Sequence, residues 1–116
     1  MALLSDWGFF LKPGMEDAFA EWLRTNEPLM AERAPRGYEY LGTYVPLWRH
    51  ASESSQYHQV WRYWSDRPPA LRSAAEGHGP FTELAKQFLE FVDEARSEEE
   101  SFRLYRSALP DDVTQD

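Results

Sequence analysis

Three side chains in this chain are placed to move a proton or hold an anion. His78 stands in Gly77-His78-Gly79-Pro80. The flanking glycines let backbone approach a ligand closely, and the break sets an imidazole beside the start of a helix. Imidazole is the usual acid/base group near neutral pH. The plainer reading is a helix-breaking loop whose histidine is simply exposed. His58 and Arg62 lie four apart in Tyr57-His58-Gln59-Val60-Trp61-Arg62-Tyr63-Trp64. On a strand they share one face with Val60 and Trp64. There they can bind and activate an acidic or phenolic substrate. Equally, Arg62 can hold a carboxylate such as Glu39 on a neighbouring strand, and His58 can reach water at the strand end.

Aromatic rings supply the candidate walls. Trp61 and Tyr63 share the other face of that strand with Tyr57 and Gln59. In Tyr38-Glu39-Tyr40-Leu41-Gly42-Thr43-Tyr44-Val45, alternation puts Tyr38, Tyr40, Gly42 and Tyr44 on one side. With Phe81, the rings Trp61, Tyr63 and Tyr40 are candidate substrate-binding residues. The competing reading packs them into a subunit interface. The chain has five Trp, six Tyr and seven Phe in 116 residues. That is a large load for one small domain to absorb in its core alone.

Other chemistries find little support. The histidines at 50, 58 and 78 have no short ligand spacing, so no metal site is expected. There is no cysteine, which excludes disulfides, thiolate metal sites and a cysteine nucleophile. No phosphate-binding glycine loop follows a strand, and no Gly-x-Ser-x-Gly is present. No cofactor is expected, although a single axial histidine suffices for haem. Acids outnumber bases 20 to 12, a formal charge of −8. Such a surface repels phosphate backbones, so nucleic acid is not an expected partner. No apolar run approaches the roughly 20 residues of a membrane helix, and no signal peptide is visible. The expected location is cytoplasmic.

The elements that must position these groups follow from period and punctuation. Trp7–Lys12 is an apolar run closed by Pro13-Gly14, a strand and a turn. Met15, Ala18, Phe19, Trp22, Leu23, Leu29 and Met30 recur at helical spacing, with Pro28 marking a kink or an early end. Two strands follow, over 38–45 and 57–64, joined by a polar loop. Ser65 or Asp66 can cap the next segment. A short helix covers 70–76. A second carries Phe81, Leu84, Ala85, Phe88, Leu89, Val92 and Ala95 as its stripe. The last strand is expected at Ser101–Arg106. Glu98-Glu99-Glu100 reads as a solvated face or frayed end. The ends, 1–6 and 110–116, are expected to be loose. The whole is one α+β domain in βαββαβ order, the ferredoxin-like arrangement of a four-stranded antiparallel sheet with helices on one face. The other sheet face also carries large rings, and pairing two sheets into a homodimer covers it.

These residues resemble the NIPSNAP family of the dimeric α+β barrel superfamily. The shared features are Phe10-Leu11-Lys12-Pro13-Gly14, Pro28-Leu29, Leu41-Gly42-Thr43-Tyr44, Val60-Trp61-Arg62-Tyr63-Trp64-Ser65 and Pro80-Phe81, where the family has a Pro-x-Trp region. The resemblance spans about Trp7 to Leu109. It implies the ferredoxin-like fold and a homodimer barrel. It implies chemistry only broadly, because the superfamily contains cofactor-free monooxygenases, cyclases, haem-degrading enzymes and dehydratases. The expectation is a protein that binds a small apolar or aromatic ligand, in a pocket between sheet and helices. It is either a cofactor-independent enzyme acting on an aromatic or enolisable substrate, or a non-catalytic homodimeric module.

Overall fold

The computed structural model describes residues 2–47 and 55–103. The expected sheet is present. Strands β1 (Leu3–Leu11), β2 (Tyr38–Tyr44), β3 (Tyr57–Tyr63) and β4 (Val92–Arg103) form one sheet in the order β2-β3-β1-β4. Every neighbouring pair is antiparallel. Helices α1 (Glu16–Glu32), α2 (Leu71–Ala75) and α3 (Thr82–Phe91) complete a βαββααβ chain. Phe9 of β1 meets both Phe19 of α1 and Phe88 of α3, at centroid distances of 6.0 and 5.4 Å. Both long helices therefore lie on the sheet face that carries Phe9. That face buries the core, with Phe9, Phe19, Met30, Ala85 and Phe88 wholly or almost wholly out of solvent.

Several boundaries differ from the sequence reading, each for a physical reason. β1 starts at Leu3 rather than Trp7, so Leu3–Asp6 are paired strand and not a loose end. The Pro13-Gly14 turn forms as expected. Gly14 takes φ 79°, and Met15 N–H donates to the Lys12 carbonyl. α1 does not stop at Pro28 but continues to Glu32. One missing donor is outweighed there by burial of Met30 on the core side. Neither Ser65 nor Asp66 caps α2, whose N-cap position is Ala70. Instead the Ser65 hydroxyl accepts from Tyr38.

The largest correction concerns the last strand. α3 ends at Phe91, so Val92 and Ala95 belong to β4 and not to the helical stripe. The Phe91 carbonyl accepts from Lys12 N–H, and Leu11 pairs with Val92. Docking of the helix end on β1 thus starts the strand ten residues before Phe102. Glu98, Glu99 and Glu100 are ladder residues opposite Gly8, Trp7 and Asp6. The ladder shifts register between Phe9 and Phe10. A second irregularity, between Tyr40 and Gly42 on β2, undoes the even alternation expected there. Tyr38 and Tyr40 pair with Tyr63 and Trp61, on the helix side. Tyr44 pairs with His58, on the other side. Gly42 makes that crossing with φ 138°. His50, and the end of the expected last strand from Leu104 to Arg106, lie outside the described residues.

Candidate functional site

Period two sorts the side chains of β1 and β3 into two sets. Ser5, Trp7, Phe9, Tyr57, Gln59, Trp61 and Tyr63 face the helices. Leu4, Asp6, Gly8, His58, Val60 and Arg62 face away. This separates the sequence candidates. His58 and Arg62 stand on the helix-free face. His58 Nδ1 is 2.7 Å from Asp6 Oδ1. Arg62 Nε is 3.4 Å from Glu39 Oε1, the cross-strand pairing that the alternation allows. His78 is exposed in the turn between α2 and α3. None of the three meets either of the other two at a common site.

On the helix side, α2 and the segment before it stand off from the sheet. Leu71 and Ala75 pack into the core, and Pro68 and Pro69 border the gap just before the extended Ala70. The gap is a cavity of about 410 Å³. Ser5, Trp7, Gln59 and Trp61 line it from the sheet, Leu71 and Ala74 from α2, and Phe81 from the start of α3. Trp61 crosses Phe81 edge-on at 5.6 Å and Tyr40 at 5.2 Å. Trp7 stacks on Phe9 at 4.7 Å. Arg67, Arg72, Glu94 and Glu99 are the charged residues of the lining. Arg72 and Glu94 form an ion pair. Burial raises the Glu99 carboxyl above the usual glutamate range.

Two polar side chains in the sheet floor are nearly sealed from water. Ser5 and Gln59 are each 1% exposed. Trp61 Nε1–H donates to Gln59 Oε1 at 2.7 Å. An indole nitrogen only donates, so the oxygen end of the amide is fixed towards Trp61. Among the described residues, the Gln59 Nε2 and Ser5 Oγ atoms have no hydrogen-bond partner. Buried polar atoms without partners are uncommon, and each costs about 1–3 kcal/mol.

Of the four expected binding rings, Trp61 and Phe81 line this cavity. Tyr63 packs beside it, its hydroxyl 2.9 Å from Ser101 Oγ. Tyr40 belongs to a shallow groove between β2 and Pro28 of α1. Its hydroxyl donates to Glu27 Oε2 at 2.5 Å and lies 2.6 Å from Thr43 Oγ1. Burial, then the hydrogen bond with Glu27, holds the Tyr40 hydroxyl well above the ordinary tyrosine range. Sequence reasoning passed over Ser5, Trp7, Gln59 and Glu99. For Gln59 a signal was present: a glutamine between aromatic residues on the inward register of a central strand. Among the described residues, no group of three or more His, Asp or Glu is placed to hold a metal ion.

One solved structure settles the architecture. The crystal structure of an uncharacterized NIPSNAP-like domain protein from Burkholderia xenovorans superposes with a TM-score of 0.57, over 94% of this chain and 90% of that one. The chain has a NIPSNAP-like fold. Identity between the two is 13%, so the likeness is one of fold. No sequence family and no curated protein matches the chain. In this chain the NIPSNAP-like fold takes the form of the four-stranded antiparallel sheet and helices described above. Among the described residues, no helix is long and apolar enough to cross a membrane.

Proposed function

We propose that this NIPSNAP-like chain is a small-molecule-binding protein whose site is the cavity between the sheet and α2. One observation carries the reading: an aromatic-walled cavity whose floor holds two buried polar atoms without partners. Its volume falls within the range of about 300–1,000 Å³ common to ligand sites. The ligand it suits is compact and apolar or aromatic. Binding is better supported than turnover, because His58, Arg62 and His78 all lie away from this cavity. If a cofactor-independent reaction does take place there, the proton transfer falls to Glu99.

The test is a thermal-shift series on the whole chain with small bicyclic aromatic compounds. A ligand at one hundred times its Kd adds about 2.7 kcal/mol to the native state and raises the melting temperature. Ala74→Trp, which fills the cavity from α2, is expected to remove that shift. If no compound in the series stabilises the chain, the rings serve packing alone and the non-catalytic module reading takes over.

A second proposal concerns the helix-free face. Leu4 and Phe102 are ladder partners there and remain 38% and 45% exposed. Pairing of two chains through this face removes both from water. Sedimentation at micromolar loading is expected to show a dimer, and Leu4→Glu a monomer. A wild-type monomer overturns this pairing and leaves the cavity proposal standing.

A further inference from the structure

The floor of the cavity specifies more than apolar character. Gln59 presents its amide nitrogen because Trp61 claims the oxygen, so the free end of the amide is a donor. Ser5 pairs with Trp61 across the β1–β3 ladder, while Gln59 pairs with Trp7. Ser5 and Gln59 are therefore diagonal neighbours on one face, roughly 7–8 Å apart at Cα. A carbonyl oxygen has two lone pairs and can accept from an amide N–H and a hydroxyl together.

We infer that the cavity recognises a neutral, ring-bearing carbonyl compound whose oxygen is held by Gln59 Nε2 and Ser5 Oγ. This rests on the cavity being a binding site at all. Trp7 supplies the platform. Gln59 on β3 and Glu99 on β4 flank it from either side in the ladder. A flat ring laid over Trp7 has amide donors towards one edge and a carboxyl towards the other. The four charged lining residues, two arginines and two glutamates, sum to no net formal charge. Arg72 is already engaged by Glu94. No surplus of positive charge is left for an anionic ligand, and Glu99 repels one. Selection of a neutral oxygen over a hydrocarbon comes from the floor. Without the oxygen, the two buried polar atoms stay unpaired.

The deciding experiment is a ligand-observed NMR titration of the full chain with three compounds of one shape: tetralone, tetralin and tetralin carboxylic acid. Tetralone is expected to bind about tenfold more tightly than tetralin, as two modest hydrogen bonds provide. It should exceed the acid by at least as much. Gln59→Met is expected to lower the ketone-to-hydrocarbon ratio to about threefold, because Ser5 Oγ still donates. Ser5→Ala leaves the Trp61–Gln59 bond intact, so it guards against a folding defect. It should lower the ratio to about threefold. Tetralin or the acid binding as tightly as tetralone overturns the carbonyl assignment and leaves the cavity as an unselective apolar site. Failure of all three to bind removes the binding-site reading with it. An unchanged ratio in both variants places the ketone elsewhere and also overturns the assignment.

Discussion

The two faces of the central strands solve opposite problems with adjacent residues. On the helix side, Phe9, Tyr57 and Trp7 pack edge-on or tilted against rings of α1 and α3. Trp61 packs edge-on against Phe81, and the polar members Ser5 and Gln59 are buried on the same face. On the far side, one residue along, Asp6 meets His58 and Glu39 meets Arg62, each pair partly open to solvent. The polar groups on the helix-free face have partners. On the helix face, Ser5 Oγ and Gln59 Nε2 have none among the described residues. A lone imidazole or guanidinium draws the eye in a sequence, but here those groups are already satisfied by their neighbours. The residues with unspent hydrogen-bonding capacity are an amide and a hydroxyl.

This contrast can be tested from both sides. Phe88→Ala deletes a fully buried ring that joins α3 to Phe9, Phe19, Trp7 and Trp22. A loss of about 3–5 kcal/mol in urea unfolding is expected. On the far side, Gly8→Ala sets a methyl 2.5 Å from Ser55 Oγ and 2.9 Å from its Cβ. It should cost about 1–3 kcal/mol through overpacking. A neutral result would mean that Ser55 yields freely and that the helix-free face is loosely built.

The Tyr40 hydroxyl gives a pH signature of the helix face. Its native pKa is raised, so above the unfolded value of 10.0 the unfolded chain releases a proton that the native chain keeps. Stability is complete below that pH and falls as pH rises beyond it, by up to about 1.4 kcal/mol per unit. Tyr40→Phe is expected to remove most of this slope in pH-dependent unfolding. Part will remain, because burial also raises Tyr57. The smallest effect belongs to Arg62→Ala. Its pair with Glu39 is half exposed, and a loss under about 1 kcal/mol, shrinking further in salt, is expected. A larger loss would show Arg62 buried against another surface, as the proposed pairing of two chains would make it.

Much of the frame was legible in the chain. Alternation on β3 alone separated Trp61 and Tyr63 from His58 and Arg62, and Pro13-Gly14 marked a turn where one exists. The start of the acid-rich run from Val92 was misplaced because Glu, Ala and Arg favour helix locally. Pairing with β1 overrides that preference. The evenness of Tyr38 to Tyr44 concealed a bulge, since an extra residue leaves no mark when the residues on both sides are aromatic. The cavity itself has no local signature. It lies between Trp61 of the sheet and α2 with the two prolines before it, a juxtaposition that no periodicity within either segment records. Which sheet face meets the helices was equally hidden, since both faces carry aromatic residues.

The two outer strands of the sheet have a bearing on how copies of this molecule meet. β4 displays Asp93, Glu94, Glu98, Glu99 and Glu100 along one border. A second β4 laid beside it would bring clusters of like charge close to one another. The opposite border, β2, is bent by its irregularity at Leu41 and no longer offers an even row of backbone donors and acceptors. Both borders therefore resist the addition of a further strand, and the sheet is guarded against runaway polymerisation into fibrils.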